Sequence, residues 1–423
     1  MIKLALLIRG TALLLCLLVF QVASTSDGRA SVPGACIGSE RDALLSFKAS
    51  LLDPAGHLSS WQGEDCCQWK GVRCSNRTGH LIKLNLRNSD MYEYSYYTDE
   101  YSYPNRSRSL SLSAGEMSSS LATLQHLRYL DLSGNDFNGT SIPVLLASLK
   151  NLRVNMLPSL KVLRLSDCGL NGTMSASISI SNLTHLEALD MNYNTFYTSL
   201  KHAWFWNLTG LKELHLSDTG LEGSIPSELA NMTSLQVIDF SENDLVGLIP
   251  NKLENLCNLT RMRFNGNNIG SSIGEFMGRL PKCSWNTLQE LSVWGGNMSG
   301  NLPIWIGNMT NLSVLEASQN MLTGPLPVGV GGLGNLKMLD LRYNNFNGVL
   351  LKEHFASLGK LEALCLSYNN FNGVLYKEQF ASLGKLEVLD FSHNKFSGVL
   401  FKEQFASLGK LEVLDFSHNN FND

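Results

Sequence analysis

Net charge is nearly absent from this chain. Against 33 lysines and arginines stand 37 aspartates and glutamates, a balance of -4 at pH 7. No basic field is there to hold nucleic acid or an anionic membrane, so neither is expected as a partner. The signatures of common catalysts are missing too: no Gly-rich phosphate loop, no kinase motifs, no H-E-x-x-H and no G-x-S-x-G. The 9 histidines are scattered, and His393 and His418 fall in copied S-H-N turns, which reads as duplication rather than as a metal pair. The chain is expected not to be an enzyme and to need no cofactor and no metal. Long apolar runs are lacking beyond the first residues, so no later segment offers the roughly 20 apolar residues of a membrane helix.

What is present points to export. Lys3 and Arg9 precede an apolar stretch from Leu13 to Phe20, and Ala23 and Ser24 offer a cleavage site, so residues 1–24 read as a secretory signal peptide. Of the 9 cysteines Cys16 leaves with it, and four of the rest, Cys36, Cys66, Cys67 and Cys74, cluster early, as disulfides of an oxidising compartment do. Bridging the adjacent Cys66 and Cys67 would strain the backbone, so Cys36–Cys66 and Cys67–Cys74 is the preferred pairing, although spacing alone leaves others open. N-x-S/T sequons occur at Asn76, Asn105, Asn138, Asn171, Asn182, Asn207, Asn231, Asn258, Asn297, Asn308 and Asn311. Behind a signal peptide, that many imply a glycoprotein.

The rest of the chain is one phrase repeated about a dozen times. Its clearest copy is LKELHLSDTGLEGSIPSELANMT from Leu211, and the next opens 24 residues on at Leu235. A fixed period with the pattern L-x-x-L-x-L-x-x-N/C-x-L marks a leucine-rich repeat. The expected fold is an α/β solenoid, a leucine-rich repeat superhelix of about 13 repeats. A parallel β-sheet should line its concave face, with a disulfide-stapled N-terminal cap. Four regions follow: the signal at 1–24, the cap at 25–80, a first repeat at 81–126, and repeats from 127 to 423 with the last incomplete. In the cap, Ala43, Leu44, Phe47, Leu51 and Leu52 recur at helical spacing. The first repeat is interrupted at 89–108 by SDMYEYSYYTDEYSYPNRSR, read as an exposed insertion, with an acidic, tyrosine-rich contact arm as the less favoured reading.

Two spacings are abnormal. From Leu127 to Leu160 most of a repeat has been lost, and from Leu259 to Leu288 an extension is flanked by Cys257 and Cys283. Those two cysteines either join neighbouring coils or remain buried thiols. The last spacings are nearly identical in text, and Leu411, Leu414 and Phe416 then form a strand with no coil outside them, an end expected to fray or associate.

In the cap, ERDALLSFK, SSW and CCQWKGVRC lead into HLIKLNL, and the repeats carry Gly-x-Ile-Pro at Gly223 to Pro226 and Gly247 to Pro250. In these features the chain resembles plant leucine-rich repeat receptor-like proteins, cell-surface receptors of immunity and development that lack a kinase. The resemblance implies an extracellular recognition module that binds a peptide, a protein or a wall-derived ligand and signals through partner receptor kinases as co-receptors. It also implies further repeats, a second cysteine cap, a membrane helix and a short tail, so anchoring at the plasma membrane would come only through sequence absent here. Otherwise the product would be secreted to the apoplast. The second reading is a secreted inhibitor of microbial cell-wall hydrolases, similar to the plant proteins that block polygalacturonases. A third is a fragment left by recombination.

Within each repeat the template assigns roles. Asparagines such as Asn243 and Asn344 should bond backbone groups of the turn, with Cys168 and Thr219 as structural stand-ins. Outward strand positions are where specificity would be written. The position between the second and third leucines is often aspartate, as at Asp131 and Asp390, so departures such as Arg164, His215, Ser292 and Cys365 are more informative. Arginine and aromatic residues anchor interfaces. The candidate ligand-binding patch is therefore Arg263, Trp294, Glu316, Arg342 and Tyr343 over successive coils, and no sequon falls on the outward strand positions.

Overall fold

Leucines that alternate with polar residues in L-x-x-L-x-L demand an extended backbone with one hidden face. Each phrase does form such a strand, and a coil returns it beside its predecessor. The computed structural model describes residues 35–88, 111–114, 118–137, 139, 157–174, 183–251 and 253–422. The expected signal peptide, the 89–108 insertion and the sequons at Asn105, Asn138 and Asn182 lie outside these residues.

Among the described residues one sheet of 14 strands runs the length of the array. Its first strand, Val72–Cys74, belongs to the cap and pairs antiparallel with Leu81–Asn85. Every later neighbour is parallel and in register: Leu130 faces Leu163, Leu189 faces Leu214, and Leu339 faces Leu364. Tyr129–Asp131 pairs directly with Val162–Arg164. The inward leucines fill a continuous core; Leu211, Leu214 and Leu216 are all 0% exposed. Each such side chain contributes roughly 1.5–3 kcal/mol.

The asparagine ladder closes every turn. Asn344 Nδ2 donates to Ala317 O at 3.0 Å and Leu341 O at 3.1 Å, and its Oδ1 accepts from Leu322 N at 2.9 Å. One amide thus satisfies backbone groups on two coils. Thr219 keeps part of this, donating to Leu216 O at 2.8 Å. The Cys168 thiol donates to Leu132 O at 3.1 Å and is held far from ionisation by its burial. Both are structural substitutions.

A second set of strands flanks the first and was not anticipated. Ser299–Gly300, Met321–Gly324, Asn345–Val349, Asn370–Val374, Lys395–Gly398 and Asn420–Phe421 form a parallel ladder, and Glu222–Gly223 pairs with Asp244–Leu245. These strands are two to five residues long and pass through glycines such as Gly324 at φ +78°, so they carry no alternation to read. On the far side short 3-10 helices follow the prolines, as Ile304–Asn308 follows Pro303 and Val328–Gly332 follows Pro327. A Cβ on Gly329 would lie 2.3 Å from Ile304 O, so glycine is what lets these two turns touch.

The cap is a helix, Gly38–Ala49, burying Ala43, Leu44 and Phe47 against the first coil. It ends sooner than the apolar spacing suggested: Leu52 is 70% exposed and bonds through its backbone to Ser113. Buried Glu40 accepts from Leu81 N at 2.7 Å and meets His80 Nδ1 at 2.9 Å, tying the helix to the sheet. Cys36–Cys66 and Cys67–Cys74 are bonded as preferred, with Cα separations of 5.3 and 5.4 Å. Cys257 and Cys283 also form a disulfide, which fastens the extension that holds the helix Ile273–Gly278. No described helix is long and apolar enough to cross a membrane.

Candidate ligand-binding face

Register turns the outward strand positions into straight rows. The position between the second and third leucines runs Asp131, Arg164, Asp190, His215, Asp239, Arg263, Ser292, Glu316, Asp340, Cys365, Asp390 and Asp415. Neighbours in such a row are about 4.8 Å apart. In the first half acidic and basic side chains alternate; in the second half acids recur without a base between them. Two residues further on lies a row of serines and asparagines, from Ser133 and Ser166 to Ser392 and Ser417, broken by Trp294 and Arg342. The next position has a left-handed backbone, as at Tyr193, Tyr343, Tyr368, His393 and His418, with φ between 51° and 57°.

The five candidate residues occupy these three rows over four successive coils, and they are not joined into one cluster. Arg263 turns to its own sheet, with Nη2 donating to Glu290 Oε2 at 3.1 Å and Nη1 to Asp239 Oδ2 at 3.5 Å. Arg342 folds onto Asp340 in the same coil, with two bonds of 3.1 Å. The charges of both arginines are therefore largely neutralised within the fold. Glu316 lies two strands from Arg263; burial raises its pKa, and the neighbouring carboxylates Asp340 and Glu290 add to this against the lowering bond from Ser292. Trp294 is partly buried in the serine row. Tyr343 stacks on Tyr368 at 4.2 Å, and the stack continues through His393 to His418 at 4.0 Å per step.

A feature outside the expected patch is a cleft of about 240 Å³ lined by Arg87, Ser133, Arg164, Ser166, Asp190, Asn192 and Tyr193. Arg164 was visible as a departure from the template, whereas Arg87 gave no signal because its coil has no regular predecessor. The eight described sequon asparagines are all exposed and lie off the outward strand rows. The sulfurs of Cys36, Cys66 and Cys67 lie within 4.8 Å of one another, a spacing explained by the two cap disulfides rather than by thiolates awaiting a metal.

Such a face, with its cap and flanking ladder, has known counterparts. A leucine-rich repeat N-terminal domain matches residues 37–75, a leucine-rich repeat region matches 107–323, and a further leucine-rich repeat matches 359–421. The chain belongs to the leucine-rich repeat family. Among curated relatives, the array is similar to the receptor-like protein EIX1 of Solanum lycopersicum, with 36% identity over 230 residues, 49% of this chain and 21% of that one. Receptor-like protein EIX2 of the same plant is 30% identical over 45% of this chain and 24% of its own length. The chain thus spans less than a quarter of these relatives. Among solved structures, the HAESA receptor kinase of Arabidopsis, in complex with the peptide hormone IDA and the co-receptor SERK1, matches with a TM-score of 0.56 and 26% identity over 91% of this chain and 70% of that one. The plant leucine-rich repeat receptor-like proteins are therefore where this array's relatives lie.

Proposed function

We propose that this array is the extracellular recognition part of a plant cell-surface receptor-like protein. It binds a peptide, protein or wall-derived ligand on the outward sheet and signals through partner receptor kinases. The observation that carries this reading is the sheet itself: its inward positions keep to the template, while its outward rows vary from coil to coil and carry no sequon. The neutral overall charge fits recognition by local pattern rather than by a long-range field. The exposed sequon asparagines would carry glycans on the flanks and leave the sheet clear. The HAESA complex shows that a related fold takes a peptide and a co-receptor. An inhibitor of wall hydrolases would use the same face, but no observation here favours it.

The test exploits single substitutions that create a sequon on the face. Glu316→Asn yields Asn-Ala-Ser and Asp390→Asn yields Asn-Phe-Ser, each placing a glycan over the sheet. The secreted array is immobilised, and species retained from apoplastic fluid and fungal culture filtrate are identified by mass spectrometry. Species bound by the native array should be lost from both glycan variants and kept by Lys360→Gln, which creates no sequon and lies off the outward rows. Retention by all variants alike would reject the sheet as the recognition face.

A further inference from the structure

Arg164, Arg263 and Arg342 stand on the outward face of regular coils, and their fates differ. Arg263 is held by Glu290 and Asp239, and Arg342 by Asp340. Arg164 has an acid on either side, Asp131 and Asp190, yet no carboxylate comes within ion-pair distance of it among the described residues. Asp131 is buried and occupied instead by the Tyr129 hydroxyl at 2.9 Å and Ser133 N at 3.1 Å. Asp190 is turned to Asn192 N at 3.2 Å. The guanidinium is left over the Tyr129 ring, 5.9 Å from its centroid, opening into the cleft that Arg87 lines as well. Ser133, Ser166, Asn192 and Tyr193 line the cleft too, together with Asp190, whose carboxylate is taken by the Asn192 N–H. The planar guanidinium of Arg164 beside hydroxyl groups is the chemistry that receives an oxyanion.

We propose that the cleft beside Arg164 binds an isolated acidic side chain of a peptide laid across the outward sheet. This rests on the reading of that sheet as the recognition face. Alternation along the row decides which kind of acidic ligand fits. A polyuronate, charged at every sugar, would set carboxylates against Asp131, Asp190 and Asp239 as well as against Arg164. A peptide can place one acid in the cleft and neutral or basic groups beside the acids.

The probes are the capped tripeptides acetyl-Gly-Glu-Gly-amide and acetyl-Gly-Gln-Gly-amide, with trigalacturonate as the competing class, titrated against the full chain by ligand-observed NMR. The glutamate peptide should bind about tenfold more tightly than its glutamine twin and weaken as salt rises. Arg164→Gln should erase that preference, and Arg164→Lys, which keeps the charge without the fork, should fall between. Lys360→Gln, equal in charge and far from the cleft, should keep it. Equal binding of the two peptides, an unchanged preference in Arg164→Gln, or tighter binding of trigalacturonate would each overturn the proposal. The glycan variants separate the two levels. If they lose captured species while the tripeptides show no preference, the face stands and only the acidic subsite is wrong.

Discussion

Replacing Asn369 by alanine should loosen one coil while leaving its distant neighbours folded. Asn369 Nδ2 donates to Leu341 O at 2.9 Å and Leu366 O at 3.1 Å, and its Oδ1 accepts from Phe346 N at 3.0 Å. Alanine leaves three buried backbone groups without that partner. At about 1 kcal/mol for each group, after relaxation, the loss is about 3 kcal/mol. Asn369→Thr should cost roughly half as much, because Thr219 already holds the equivalent place through one bond to its own coil. A long repeat array need not unfold in one step, so the measurement is hydrogen exchange of amides in residues 340–372 followed by mass spectrometry, not a global melt. The local opening free energy should fall by about 3 kcal/mol for alanine and by about 1.5 for threonine, with residues 210–240 unchanged. A loss below about 1 kcal/mol, or equal losses for the two variants, would refute the view that this amide satisfies backbone across coils.

Two further outcomes follow from the same geometry. Cys257→Ser with Cys283→Ser opens a crosslink of sequence separation 26, so the local stability of residues 257–288 should fall by roughly 3.5 kcal/mol on the chain-entropy estimate, read by exchange in the same way. Glu187 is lowered from 4.5 to about 2 by hydrogen bonds and charge from Lys161 and Lys212. Its folded pKa lies below its unfolded one, so this stabilisation is full above about pH 4.5 and is lost as pH falls through about 2. The group is about a third exposed, so solvent screening reduces the gain to about 0.5–1 kcal/mol. Glu187→Gln should cost that amount at pH 7 and clearly less at pH 2, where about half of the carboxylate is protonated; an equal cost at both would contradict the charge pairing.

How far the sequence could be read depended on whether a feature was local. The leucines at Leu211, Leu214 and Leu216 specify a strand within six residues, so the coil, its inward face and the asparagine ladder were all legible. For the cap cysteines strain excluded only the Cys66–Cys67 bridge, and the fold decided that Cys36 meets Cys66 and Cys67 meets Cys74. The binding patch was legible only as a face. Arg263 and Arg342 were chosen as exposed cations, but Glu290 is 27 residues from Arg263 in sequence and meets it only because parallel register sets the coils side by side. The flanking second ladder was missed because strands as short as Ser299–Gly300 have no period to detect.

The sequence by itself determined the architecture, since a period of about 24 residues repeats one local decision and stacking is the one way to bury every copy's apolar side. The tertiary structure alone decided which charges are available. Arg263 and Arg164 hold the same place in their phrases, and whether each is neutralised depends on which coil's carboxylates turn toward it. Charge pairing acts over a few ångströms of space rather than along the chain, so the sequence could nominate the face but not the cleft.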